Sequence, residues 1–474
     1  MRHVCVWTTV ALILGGNLQS GEETAMNTPA VKEMIVVDKV WSAVSVGYCL
    51  LTHGDVQYVA YYNADRRTVV GMRRLGDKAF SKFVLPSKTD KLPRESQVSS
   101  TIQGWDSHNY LTMAVDKADC LHLSGNMHAS PLTYFRMEKP GDVTTMKQID
   151  AMLGENEMRT TYPHFMTAPD GELLFHYRDG GSGKGNEIYN VYDLETKTWK
   201  RFFDTPFVDG LGKDNAYQNG PNLGPDGWYH LLWMWRATPD ASTCHDLSYA
   251  RSRDLKHWET AGGETLTLPI TIESKGTIID PVPQQGGLLN TVHRIGFDSG
   301  KRPVISYHKH DKDGNTQAYV ARFEEGMWKI SEVSDWKERH IFKGGGSGPS
   351  TYGTSIGLGT VECYGEDRLA LGFSHWKHGN GLLVFDETTL KPLGVELATK
   401  KPARYPAELI NVNSVFPGMG VQWREDSGKA PTPKLRYTLR WETLGSNRDL
   451  PREKPWPENG ELVLYAIESL AGDE

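Results

Sequence analysis

Three stretches of the chain can be laid on one another, and their recurrence limits the fold more than any other feature. Tyr162 to Trp199, Tyr217 to Trp258 and His293 to Trp328 share one plan: a short apolar run, a turn on Asp or Gly, a second apolar run ending in polar residues, and a third closing on Trp. The segment from His108 follows it without the Trp, and Val44 to Met72, Ser355 to Phe385 and Val415 to Trp441 read as further copies. Apolar runs bounded by turn residues are strand signals, and one such unit repeated along a chain means a repeat architecture. About seven units of roughly 45 to 70 residues, each an antiparallel sheet of three or four strands, describe an all-β fold: a seven-bladed β-propeller in a single domain. The residues before Val44 are expected to lend a strand to the last blade. Two β-sandwich domains are the structural alternative, although no Pro- or Ser-rich linker divides the chain in its middle. Helix signals are scarce, with one short turn of helix expected at Met146 to Leu153.

At 474 residues the chain would ordinarily suggest several domains, but repeated sheets around one axis let a single domain grow this large. A formal net charge of −7, with no run of Lys or Arg, excludes a nucleic-acid partner. Arg2, the apolar run from Val4 to Gly16 and the small residues before Ala25 read as a cleaved secretory signal peptide. The expected organisation is therefore a leader over residues 1–25 and a propeller over 26–474, in a secreted or periplasmic monomer. No later stretch approaches the ~20 apolar residues a membrane span needs. Cys49, Cys120, Cys244 and Cys363 are too few for a disulfide scaffold and read as core thiols or a metal ligand.

The repeat also makes a geometric prediction. In an antiparallel hairpin the start of the first strand and the end of the second share one edge. Stepping back equally from the turn aspartates Asp116, Asp170 and Asp226 gives His108, Tyr162 and Gln218, with Asn109 and Tyr217 alongside. The paired second strands end at His128, Arg178 and Arg236. His122, His164, His176 and His230 fall inside strands and read as structural. The rim set combines a base near neutral pH, a phenol and guanidinium groups that pair with carboxylate. It lacks both the close carboxylate pair of most glycoside hydrolases and a G-x-S-x-G serine. It suits β-elimination on a uronic acid: Arg neutralises the C6 carboxylate, His or Tyr removes the C5 proton, and Tyr or His protonates the departing O4.

The runs SHNYLTMAVD (107–116), HLSGNMHASPL (122–132), TYPHF (161–165), GELLFHYRDGGSG (171–183) and HDLSYARSRDLKHW (245–258) resemble the BNR-repeat family that includes secreted seven-bladed ulvan lyases of polysaccharide lyase families 24 and 25. The spacings from His108 to His128 and from Tyr162 to Arg178 are closest to family 25. The resemblance implies His108 and Tyr162 as the acid/base pair, Arg178 as the carboxylate-neutralising group, His128 as an assisting residue and Tyr217 as a substrate contact. Asn109, Gln218 and Arg236 join Tyr217 as expected substrate-binding residues, the substrate being an anionic polysaccharide, ulvan first. The resemblance also implies a structural zinc, for which Cys244, His245, His293 and either His308 or His310 are the candidate ligands. Two rivals stay open. The stretch SRDLKHW (252–258) echoes a sialidase Asp box, and a non-catalytic carbohydrate-binding propeller would use the rim aromatics to stack on sugars.

Overall fold

The computed structural model describes residues 29–342, 344, 354–397, 404–428 and 434–468, so the leader read at 1–25 lies outside the described residues. Among the described residues nearly every element is a strand; one four-residue helix, Ala407–Ile410, and two 3-10 turns, Val143–Thr145 and Ala241–Thr243, interrupt them. Strand pairing gives five four-stranded sheets and one of eleven strands. Apart from the short strand His128–Ser130, each predicted unit falls within one of these sheets, Tyr162 to Trp199 and Tyr217 to Trp258 sharing the eleven-stranded one. Val44 to Met72, for example, contains Cys49–His53, Val56–Tyr62 and the start of Thr68–Arg74, paired antiparallel in sequence order. The N-terminal strand Val31–Val40 pairs antiparallel with the C-terminal strand Gly460–Glu468, as expected of residues that complete the last sheet.

Tryptophan closes the units for a packing reason. Trp199 sits on the outermost strand Thr198–Arg201, 5% exposed, and packs on Phe165, Phe175 and Tyr192 of its own sheet and on Tyr134 of the preceding one. A large ring on an edge strand thus seals the space between two sheets, which a smaller apolar residue would leave open. The turn aspartates hold second-strand histidines: His122 bridges Asp116 (3.1 Å) and the Tyr134 hydroxyl (2.8 Å), and His230 bridges Asp226 (3.0 Å) and the Tyr249 hydroxyl (2.6 Å). Both rings are buried, so these histidines satisfy polar turns inside the core, as read from the sequence.

One expectation fails. Met146 to Leu153 is not a turn of helix: Met146–Ile149 is a strand paired with Tyr134–Met137, entered from the 3-10 turn that Asp142 caps at the Thr144 N–H. Pairing to a waiting edge and burial of Met146 outweigh a short stretch's helical preference. Among the described residues no helix is long and apolar enough to cross a membrane, and all four described cysteines are free thiols.

Candidate active site

The site is assembled where Thr160–Thr167 begins. Thr161 pairs with Arg178 and His164 with His176, and the register slips between them. Such a bulge re-aims the side chain it carries. Tyr162, in the slip, has φ +58°, a left-handed conformation that is strained for an aromatic residue and recurs at functional sites. The short strand His128–Ser130 pairs with Thr160 and Thr161, bringing His128 beside Tyr162. His108 enters from the loop before Leu111–Val115.

These residues meet as the strand register predicts. The rings of His108 and His128 stack with centroids 4.0 Å apart, and the Tyr162 ring lies 5.7 Å from that of His108. The Arg178 guanidinium sits over the Tyr162 ring, 4.8 Å from its centroid. Arg178 is 1% exposed; Nη2 donates to Thr161 Oγ1 at 3.2 Å, while Nε and Nη1 have no hydrogen-bond partner within the chain. A buried cation with idle donors is costly unless an anion joins it. Gly185 permits the placement: a Cβ there would lie 2.8 Å from Arg178 Cδ and 2.3 Å from Asn215 Oδ1.

The carboxylate behind the histidines was not singled out in the sequence. Asp106 takes His108 Nδ1 on one oxygen at 2.7 Å and His128 Nδ1 on the other at 2.5 Å. Asp449 lies 3.6 Å from His108 Nδ1 and accepts from the Ser107 N–H at 3.2 Å, and Arg94 donates to Asp106 at 3.1 Å. The loops carrying Asp106 and Asp449 are pinned together by Trp105 against Trp456, centroids 5.2 Å apart. Asp106 stands two residues before His108, a spacing that could have marked it as an orienting acid. Asp449 and Arg94 carry no local signal.

Burial opposes charge on His108, but the Asp106 and Asp449 carboxylates override it and push the imidazole up to about 9. Burial raises Tyr162 to about 12 against the pull of Arg178. Burial lowers His128, with the charge on His108 adding to it and Asp106 opposing it. Burial likewise opposes the charge on Asp106, whose carboxyl is nevertheless held far below its ordinary range by the two histidines.

The remaining expected residues divide. Tyr217 is at the site's edge, its hydroxyl 2.6 Å from Ser182 Oγ, with the Arg236 guanidinium 5.0 Å from its ring centroid. Arg236 differs from Arg178: its donors go to the carbonyls of Thr238 and Pro239 and to Asn290, so it braces Tyr217. Asn109 is buried, its N–H on the Asp106 carbonyl and its own carbonyl accepting from the Tyr62 hydroxyl at 2.5 Å; it holds the loop that presents His108. The side chain of Gln218 is buried without a partner beside a polar pocket.

Cys244, His245, His293 and His308 do not converge. His245 is taken by Asp214 (2.9 Å) and Asp246 (2.8 Å), the Cys244 thiol faces Asn290, and His308 Nδ1 is on the Gly287 carbonyl at 2.7 Å. Among the described residues, the groups of three or more His, Cys, Asp or Glu donors close enough for one ion are Asp106/His108/His128/Asp449 and Glu338/His375/His378, neither of them this set nor one containing His310. Sharing a blade edge is too coarse a constraint for a coordination shell a few ångströms across, and zinc on these four does not fit as they stand. The Asp-box-like stretch is a turn: Asp254 accepts from the N–H groups of Lys256 and His257, and Trp258 Nε1 donates to the Leu255 carbonyl.

Fold and site together define an all-β repeat protein in which His, Tyr, Arg and Asp side chains cluster at one sheet edge. The chain belongs to the BNR repeat-containing family, whose model matches residues 56–336. It is 31% identical over 157 residues to a short-isoform ulvan lyase of Alteromonas sp. (strain LOR), covering 30% of this chain and 29% of that protein. It is 49% identical over 75 residues to a long-isoform ulvan lyase of Pseudoalteromonas sp. (strain PLSV), covering 14% and 8%. These matches thus span less than a third of each curated relative. Among solved structures it resembles the polysaccharide lyase Uly1 at TM-score 0.55 and 12% identity, over 92% of this chain and 99% of the other. It also resembles a PL25 ulvan lyase bound to -[GlcA(1-4)Rha3S]-, at TM-score 0.52 and 12% identity, over 87% and 94%. At that identity the likeness speaks for the fold.

Proposed function

We propose that this protein is a polysaccharide lyase that cleaves ulvan by β-elimination at the bond between rhamnose 3-sulfate and a uronic acid. The observation that carries the reading is the buried Arg178, whose guanidinium lies over the ring of Tyr162 with two donors idle. Arg178 pairs with the C6 carboxylate, which acidifies the C5 proton. The separated proton affinities support a division of the other roles. His108, at about 9, is the better base and Tyr162, at about 12, the better acid, because between those values each is mostly in its working form. Asp106 holds Nδ1–H, which leaves Nε2 as the basic atom, the orienting job of the carboxylate in hydrolytic triads. His108 Nε2 takes the C5 proton, the electron pair forms the C4–C5 double bond, and the C4–O4 bond breaks. The departing oxygen takes the Tyr162 proton, and solvent returns a proton from His108 to Tyr162. His128 shares Asp106 and limits the charge on the pair.

The sheets support a seven-bladed reading. The eleven-stranded sheet contains two antiparallel runs of four strands, Thr160–Thr167 to Thr198–Arg201 and Asn215–Leu223 to Trp258–Glu259, joined by the single parallel pair Gly185 and Asn215. Counted separately, these two and the five four-stranded sheets make seven. Export, read from Arg2 and the apolar run Val4 to Gly16, and a monomeric state complete the proposal. A secreted form beginning near residue 26 and a single-chain mass by light scattering test them.

The deciding experiment is incubation of the purified protein with ulvan. Ultraviolet absorbance from a conjugated unsaturated uronate is expected. New reducing ends without that chromophore would mean hydrolysis, and glycan binding without turnover would mean a binding propeller.

A further inference from the structure

Beside the acid–base centre lies a pocket of about 350 Å³ that no step above uses. That is the lower end of ligand-pocket sizes, ~300–1,000 Å³, and suits a single sugar ring. Its walls come from three successive units: His164 and His176 from the first, Gln218 and Asn219 from the second, His293 and Arg294 from the third. It adjoins the site through Asn290, which lines the pocket and accepts from Arg236 Nη1 at 3.5 Å.

Two features point to a ligand. His293 is 1% exposed, yet neither ring nitrogen makes a hydrogen bond within the chain, although one lies toward the Leu232 carbonyl. The amide oxygen and nitrogen of Gln218 are likewise buried and unpartnered. Polar atoms left idle at a buried wall are expensive, and a group that both donates and accepts would satisfy them. His164 and His293 each bring an imidazole to the pocket wall. Imidazoles and amides match sugar hydroxyls. Arg294 supplies one positive charge; its Nη1 donates to the His293 carbonyl, and the guanidinium stands at the pocket wall.

We infer that this pocket is a second sugar subsite, in which His293 and Gln218 bind the hydroxyls and Arg294 the anionic substituent of the residue next to the cleaved bond. The inference rests on the lyase reading and names what that site holds beyond the uronate. Its chemistry selects a sugar ester sulfate or carboxylate over a neutral sugar, because Arg294 would otherwise remain unpaired.

The test compares ulvan with chemically desulfated ulvan on the wild type, Arg294→Ala and Gln218→Leu. Arg294→Ala should raise KM for ulvan at least fivefold, leave kcat within about twofold, and erase the preference for sulfated polymer. Gln218→Leu should raise KM on both polymers. Calorimetric binding of ulvan oligosaccharides to the Tyr162→Phe protein, with and without Arg294→Ala, gives a readout free of turnover, and the added change should weaken binding by a similar factor. Turnover by the wild type with KM and oligosaccharide binding unchanged in both pocket variants would overturn the subsite alone. Oligosaccharide binding that depends on Arg294, without any turnover by the wild type, would keep the subsite and overturn the lyase.

Discussion

His108 and His128 stack at 4.0 Å, and a single carboxylate, Asp106, holds the Nδ1 atoms of both. Two imidazoles this close cannot both be charged at little cost, so the carboxylate favours one cation shared by the pair. His108 is the one raised and His128 the one lowered.

The pH profile follows from that arrangement. A base works unprotonated, so kcat/KM should climb about tenfold per pH unit toward about 9, where His108 loses its proton, and level off above it. The acid works protonated, so a fall is expected only toward about 12, where Tyr162 ionises. The groups facing His108 are Asp106, Asp449, His128 and Tyr162, with Arg94 beyond Asp106. Both carboxylates raise it, so Asp449→Asn should move the lower break to more acidic pH. A break that stays in place would show that His108 does not set it.

Asp106→Asn removes the charge and leaves one acceptor oxygen for two imidazoles, so the amide NH2 must face one of the Nδ1 atoms. A fall in kcat of about 10²–10⁴, the range for loss of an acid–base function, is expected with the fold retained by circular dichroism. Activity within a few-fold of wild type would remove Asp106 from the mechanism.

Tyr162→Phe and Arg178→Ala should each abolish formation of the unsaturated product. Gly185→Ala tests the positioning of Arg178 from behind. The added Cβ, 2.8 Å from Arg178 Cδ, must displace the guanidinium, and a shift near 1 Å costs on the order of 100-fold. A Gly185→Ala enzyme of normal activity would mean that the Arg178 position is not critical.

Trp199→Ala should destabilise the protein by about 3–5 kcal/mol, the usual cost of emptying a large aromatic from a core. Urea unfolding read by fluorescence measures it, and a loss below about 1 kcal/mol would show that Trp199 is not the seal between its sheet and Tyr134 of the preceding one.

Strand units, hairpin turns and the rim set of His108, Tyr162, Arg178 and His128 could be read from the sequence because each depends on local register. An antiparallel hairpin fixes which residues share an edge: the turn at Asp170 sets the register as far as His164 opposite His176, and the slip beyond it places Thr161 opposite Arg178 with Tyr162 beside it. The short strand at Met146 was misread because its partner, Tyr134–Met137, rather than its own periodicity, decided its conformation.

The sequence by itself determined a repeated all-β chain and the chemistry arrayed along one edge of its sheets. Only the tertiary structure decided how that chemistry is charged and aimed. Asp449 reaches His108 from the other end of the chain, the slip at Tyr162 brings its ring against both His108 and Arg178, and the four expected zinc ligands stay apart. The physical reason is range. Hydrogen bonding within a hairpin is set by neighbours in sequence, whereas proton affinities and ligand shells depend on distances of a few ångströms between loops that meet only when the sheets pack.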